Sequence, residues 1–156
     1  GGEEPGRKLP VCRAWYNGGW HPGKVVENAC NCGHGGREIR ARHYQVLSGQ
    51  ATFKWVRKCD LPTGHISPKR GYTVCARGSW QRANQSPSTA HHATWFPFKG
   101  GQESCGTPLV LASANYGRYG IHPGKIVSGR CNFGYGGREV SEPHDYWVLL
   151  VRGQCE

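Results

Sequence analysis

Four side chains with chemical capability recur together. His21, Lys24, Arg37 and Glu38 reappear as His122, Lys125, Arg138 and Glu139, in the same order and at the same spacing. A lysine ammonium only donates hydrogen bonds and a carboxylate only accepts them. Side by side, the two suit a ligand whose neighbouring hydroxyls both donate and accept, and their charges make such bonds the stronger kind. The cation also favours the ionised carboxylate. No metal is needed for this chemistry, and no cofactor is expected. Arg37 and Arg138 are suited to gripping an anion bidentately or to standing as surface arginines. His21 and His122 each precede a proline, which points to a turn hydrogen bond rather than to catalysis. Glu38 and Glu139 divide between ligand contact and capping a backbone turn, with the second favoured.

Other chemistries find less support. A glycosidase needs two carboxylates flanking a cleft, and the chain has only ten acids. His91-His92 and Cys30-Asn31-Cys32 match no standard zinc spacing. Eight cysteines allow 105 complete pairings, so the disulfide map stays open. The net charge of +10 attracts phosphates, sulfated glycans and acidic surfaces. It is scattered, with no basic run of five, so no specific nucleic-acid partner is expected.

The recurring groups need elements to hold them. Laid without gaps, residues 21–39 agree with residues 122–140 at twelve of nineteen positions, which marks an internal duplication. The match extends to Ala14-x-Tyr16 with Ala114-x-Tyr116, and to Tyr44-x-Val46-Leu47 with Tyr146-x-Val148-Leu149. A fainter third copy is suggested between them, with Ser86 to Thr89 in place of the HPGK step and Gly100 to Glu103 in place of the later one. A self-similar sequence calls for one supersecondary unit used more than once.

The 24 glycines and ten prolines interrupt every helical period, so short strands joined by turns are predicted. Pro22-Gly23 reads as a turn that holds Lys24 at a loop edge. Gly33 to Gly36 reads as a second turn or bulge. The fold expected is all-β: tandem pseudo-symmetric antiparallel meanders in one compact, disulfide-stabilised domain. Repeat one spans 1–50, a linker with an insertion or degenerate repeat 51–99, and repeat two 100–156. Trp15, Trp55, Trp95 and Trp147 are the candidate core aromatics. Trp20 and Tyr119 are candidates for stacking on a ligand.

These residues resemble the DM9 repeat. The resemblance runs through Arg13-Ala14, Pro22-Gly23-Lys24, Gly36-Arg37-Glu38 and Tyr44-x-Val46-Leu47, and again through Pro123-Gly124-Lys125, Gly137-Arg138-Glu139 and Tyr146-x-Val148-Leu149. It extends into the linker at Phe53-x-Trp55 and Leu61-Pro62-x-Gly64-x-Ile66, and covers nearly the whole chain. It implies an all-β lectin, because characterised relatives include mannose-binding lectins of molluscs that hold sugar with an acid and the PGK lysine. Carried over, the lysines are Lys24 and Lys125 and the acids are Glu3 and Glu103. The chain departs from the family in its eight cysteines, its basic charge, its insertion at 78–98, and in carrying Glu rather than Asp.

The resulting expectation is a secreted lectin for mannose-type or anionic glycans, in innate defence or an egg or mucus fluid. Eight cysteines and the absence of Met point to a processed, extracellular chain. The sequon Asn84-Gln85-Ser86 is compatible with that route, although Pro87 follows it. Partners would be microbial or sulfated surfaces and a second copy of the chain, with no membrane span. The alternatives are an anion-binding structural protein and, less favoured, a glycoside hydrolase.

Overall fold

The computed structural model describes residues 1–48, 53–61, 75–77, 79–81 and 94–153, with the backbone alone for 75–77, 79–81, 94–96 and 152–153. The strands among them are β1 (Gly2–Glu4), β2 (Arg7–Leu9), β3 (Val11–Tyr16), β4 (Gly19–Val26), β5 (Ala29–His34), β6 (Arg37–Ala41), β7 (Tyr44–Val46), β8 (Phe53–Arg57), β9 (Cys75–Arg77), β10 (Ser79–Gln81), β11 (Thr94–Pro97), β12 (Lys99–Gln102), β13 (Pro108–Asn115), β14 (Ile121–Val127), β15 (Arg130–Tyr135), β16 (Arg138–Glu142) and β17 (Tyr146–Gly153). Two short 3₁₀ turns, Lys58–Asp60 and Gly117–Tyr119, are the only helical segments among the described residues. The all-β expectation holds. No helix among the described residues is long and apolar enough to cross a membrane.

The turns follow their residues. Gly35-Gly36 (φ +59° and +80°) and Gly136-Gly137 (φ +60° and +80°) close the two-residue hairpins β5–β6 and β15–β16. Two successive positive φ angles are what a type I′ hairpin turn requires, and glycine adopts them without a Cβ penalty. Pro22-Gly23 behaves otherwise. It lies in the middle of β4, not at a turn. On one edge β4 runs along β3, while on the other it pairs with β12 at Trp20 and with β5 from Gly23 onward. Pro22 sits at this change of partner, where a missing N–H costs no ladder bond. Pro123 does the same in β14, between the pairing of Ile121 with β1 and that of Lys125 with β15.

The ladder closes on itself in antiparallel order, β4–β5–β6–β16–β15–β14–β13–β12 and back to β4. Its two seams are narrow, Arg37 opposite Arg138 and Trp20 opposite Gln102. The copies are interleaved. β1 of the first docks on β14 of the second through Glu3 opposite Ile121, and β12 of the second docks on β4 of the first. Gly100 and Gly101 therefore open repeat two as Gly1 and Gly2 open repeat one, rather than ending a third copy. The rest of the suggested third copy, Ser86 to Thr89, lies outside the described residues, as do the sequon and His91-His92.

The interior is unequal. Around β13–β17 a large cluster gathers Val110, Ala112, Ile126, Cys131, Phe133, Tyr146, Val148 and Leu150. The first copy buries a smaller set, Cys12, Ala14, Cys30 and Cys32, with a disulfide between Cys12 and Cys30. Cys32 and Cys131 are buried free thiols, held protonated because burial raises both, Cys32 to about 11. The tryptophans depart from expectation. Trp15 is 55 % exposed, because strand alternation turns Cys12 and Ala14 inward and Arg13 and Trp15 outward. Trp55 and Trp147 are half-buried, and the side chain of Trp95 lies outside the described residues.

Candidate functional site: two crossed lysine–histidine–carboxylate clusters

Lys24 and Lys125 are not loop-edge residues. Each sits within its strand, 2 % and 3 % exposed. Each ammonium is held by the histidine of the other copy: Lys24 Nζ lies 2.9 Å from His122 Nδ1, and Lys125 Nζ lies 3.1 Å from His21 Nδ1. The other ring nitrogen faces a carbonyl, His122 Nε2 at 2.7 Å from Tyr119 O and His21 Nε2 at 3.1 Å from Tyr16 O. A carbonyl only accepts, so Nε2 carries the proton and Nδ1 offers its lone pair to the lysine. Burial first, and the facing lysine second, depress both histidines, His21 to about 4. Both rings are therefore neutral at pH 7. The predicted turn hydrogen bond is present, but the second contact of each ring, to the lysine, is what places it in the site.

His21 and Lys24 are three residues apart on β4. An odd step along a strand points side chains to opposite faces, and they serve different clusters. Site one comprises Lys24, His122 and Glu4, with the Tyr135 ring 5.0 Å from the ammonium. Site two comprises Lys125, His21 and Glu103, with the His34 ring tilted against His21 at 4.5 Å.

The acids resolve the carry-over. Glu103 Oε1 lies 4.0 Å from Lys125 Nζ. In site one the equivalent is Glu4, with Oε1 3.7 Å from Lys24 Nζ and 3.9 Å from His122 Nδ1. Glu3 is exposed on β1, opposite Lys8 and Ile121, and consecutive strand residues point to opposite faces. The pairings agree: Glu3 and Gln102 hold equivalent places, opposite Ile121 and Trp20, so Glu4 and Glu103 come next in each copy. A sequence signal exists for this, since Gly1-Gly2-Glu3-Glu4 recurs as Gly100-Gly101-Gln102-Glu103. Burial works to raise the Glu4 carboxyl, but the Arg7 hydrogen bond at 2.7 Å and the charges of Lys24 and Arg7 outweigh it and hold it below the ordinary range. Burial pushes the Lys24 ammonium down, and Glu38 and Glu4 counter it.

Glu38 and Glu139 reach across the dyad. Glu38 Oε2 accepts from Gly137 N at 2.9 Å, and Glu139 Oε1 from Gly36 N at 3.4 Å. Each carboxylate thus caps the hairpin turn of the other copy, the role the sequence favoured. Room for them comes from Gly134 and Gly33, where a Cβ would stand 2.7 Å from Glu38 Cγ and 2.8 Å from Glu139 Oε2. Glu38 also accepts from Asn31 Nδ2 at 3.2 Å, and Asn31 lies opposite Lys24 in the β4–β5 register. Asn31 Oδ1, Asn132 Oδ1 and Glu139 Oε2 are buried acceptors with no hydrogen-bond partner among the described residues.

Around each floor stands an aromatic rim. At site one Tyr116, Tyr119 and Tyr135 pack against one another at 5.2–5.4 Å, and His122 stacks on Phe133. At site two Tyr16 meets His34 at 5.5 Å and is 40 % exposed. Trp20, the counterpart of Ile121, packs edge-on to Trp15 beneath the Arg13 guanidinium. A separate hollow of about 180 Å³, lined by Val11, Arg13, Gln45, Val46, Phe98 and Leu111, contains none of the lysines or acids of the two clusters.

Residues 3–74 fit the family model of the DM9 repeat. Among curated proteins, none matches this chain.

Proposed function

We propose, from the match of residues 3–74 to the DM9 repeat, that the protein is a secreted lectin with two glycan sites per chain, for mannose-type or anionic saccharides. The observation that carries this reading is the duplicated cluster itself. A buried ammonium is costly and needs partners. Here two are retained, each with a neutral histidine, a carboxylate and a rim of rings, and perturbed ionisable groups of this kind gather at binding sites. His122 or His21 uses one donor of each ammonium. The remaining donors and the partly exposed carboxylate, Glu4 or Glu103, face one vicinal diol from both ends, while the aromatic rim offers a stacking surface.

With His21 and Lys24 on opposite faces of β4, the two sites look in different directions, a geometry that favours cross-linking of branched glycans over chelation of one. Multivalent display raises weak sugar affinity through effective concentration. The Cys12–Cys30 disulfide supports an oxidising, extracellular setting. Glu38 and Glu139, each committed to a backbone amide, support a binding role rather than a hydrolytic one.

The test is a glycan array followed by calorimetry with the best free sugar. Two sites per chain are expected, falling to one in Lys24→Met and in Lys125→Met. A protein that binds no glycan overturns the reading. The alternative of simple anion binding rests on Arg37 and Arg138, exposed and directly opposite one another at the seam. Like charges so placed repel, and an anion would relieve them. Steep salt dependence with no competition by free sugar would favour that alternative.

A further inference from the structure

The two sites differ at one wall. Where site one has Tyr135, site two has His34. That exchange brings together three groups that ligate metals: His21, His34 and Glu103, with one ligand atom from each lying within 4.8 Å of the others. Two imidazoles and a carboxylate on β4, β5 and the end of β12 form a set that suits zinc, and nickel or copper by softness. A tetrahedral ion with ligands at about 2.0–2.2 Å separates them by roughly 3.4 Å, so from within 4.8 Å the trio needs a closure of up to about 1.4 Å. Glu103, nearly a third exposed, and His34, which is hydrogen-bonded to Asn17 Nδ2 at 3.3 Å and touches the rings of Tyr16 and His21, must supply it. His21 is fully buried, and its Nε2 faces Tyr16 O, which leaves Nδ1 as the ligand atom.

We propose that site two is a divalent transition-metal site built from His21, His34 and Glu103, and that site one is not. The competitor is Lys125. With Nε2 donating to Tyr16 O, the only lone pair left on His21 is at Nδ1, and the Lys125 ammonium lies 3.1 Å from it. Ion and ammonium contend for that lone pair. Metal binding displaces the ammonium and leaves at least one coordination position open to water or to an oxygen ligand. One chain would then carry two sites of different chemistry, an ammonium site and a metal-switchable one.

Zinc chloride titrated into the full, metal-free chain by calorimetry tests this, with cobalt(II) absorption in the visible reporting the coordination geometry. The wild type should take up one ion that His34→Tyr and Glu103→Gln each weaken at least tenfold. His34→Tyr gives site two the wall of site one, so its thermal midpoint without metal should stay near wild type. If it does not, Glu103→Gln, at a partly exposed position, decides. Lys125→Met should tighten zinc, and unchanged or weaker binding there overturns the competition. No binding by the wild type, or binding unaltered by both ligand variants because other histidines hold the ion, overturns the site. None of these readouts uses a sugar, so the lectin reading and the metal site stand or fall separately.

Discussion

The two copies share a backbone plan and fill it differently. The second copy is packed by bulk: Phe133, Tyr146 and Val148 occupy its interior with Cys131. The first holds Cys32 where the second has Phe133, and ties Cys12 to Cys30 across β3, β4 and β5. One half is stabilised by buried apolar area and the other by a covalent link. The sites follow the halves. Site one borrows His122 from the well-packed copy, stacked on Phe133, while site two borrows His21, which meets the ring of His34. The same lysine–histidine pair is rigidly walled on one side of the dyad and chemically variable on the other.

The largest break in this comparison should come from the apolar half. Phe133→Ala is expected to cost about 3–5 kcal/mol in urea unfolding, by lost burial and the cavity left behind. A cost below about 1 kcal/mol would show that the second copy does not depend on its packed ring. Removing the link in the other half, by Cys12→Ala with Cys30→Ala, should cost about 2–4 kcal/mol. The same loss should appear on reduction of the wild type, whereas Phe133→Ala should be as costly in reductant as without it.

Acid should act on both sites through the histidines. His21, held near pKa 4 in the folded chain, has an ordinary value of about 6.5 when unfolded. The unfolded chain takes up the proton first, so this contribution is complete above about pH 6.5 and is lost as pH falls from 6.5 toward 4. It amounts to about 3 kcal/mol for His21, and His122 adds in the same direction. Unfolding midpoints measured in a chelator across that window should decline. A flat profile would mean that burial and the facing lysines do not hold the rings neutral.

The finest distinction lies between neighbours. Glu4→Gln should weaken sugar at site one at least tenfold, about 1.4 kcal/mol, whereas Glu3→Gln should leave affinity unchanged. The reverse result would restore Glu3 and undo the register drawn from β1.

Much of this was legible beforehand, and the gaps have physical causes. The duplication and both lysines follow from residues 21–39 and 122–140, the all-β class from glycines and prolines along the whole chain, and Glu103 from the family resemblance. Glu4 was displaced because the copies do not align without gaps. The β1–β2 turn has Pro5-Gly6 between Glu4 and Arg7, while its counterpart runs from Glu103 to Thr107. One residue of slip in a strand exchanges an inward side chain for an outward one. Pro22-Gly23 misled because turn chemistry and a change of strand partner ask for the same residues. Trp15 faces outward because strand alternation, not side-chain size, decides which residues of β3 turn inward. The pairing of Lys24 with His122, and the trio at His34, join segments about a hundred and about seventy residues apart, beyond any local spacing.

The exchange of opening strands between the copies has a consequence for how such a chain could arise and be taken apart. Neither half owns a complete site or a complete circuit of strands: each lends its first strand and its histidine to its twin. A fragment ending after residue 50 should therefore be no stable monomer, and would be completed by a second fragment of the same kind. The present chain then reads as a dimer made permanent by fusion, after which each half was free to drift, one toward a covalent clasp and one toward a filled interior.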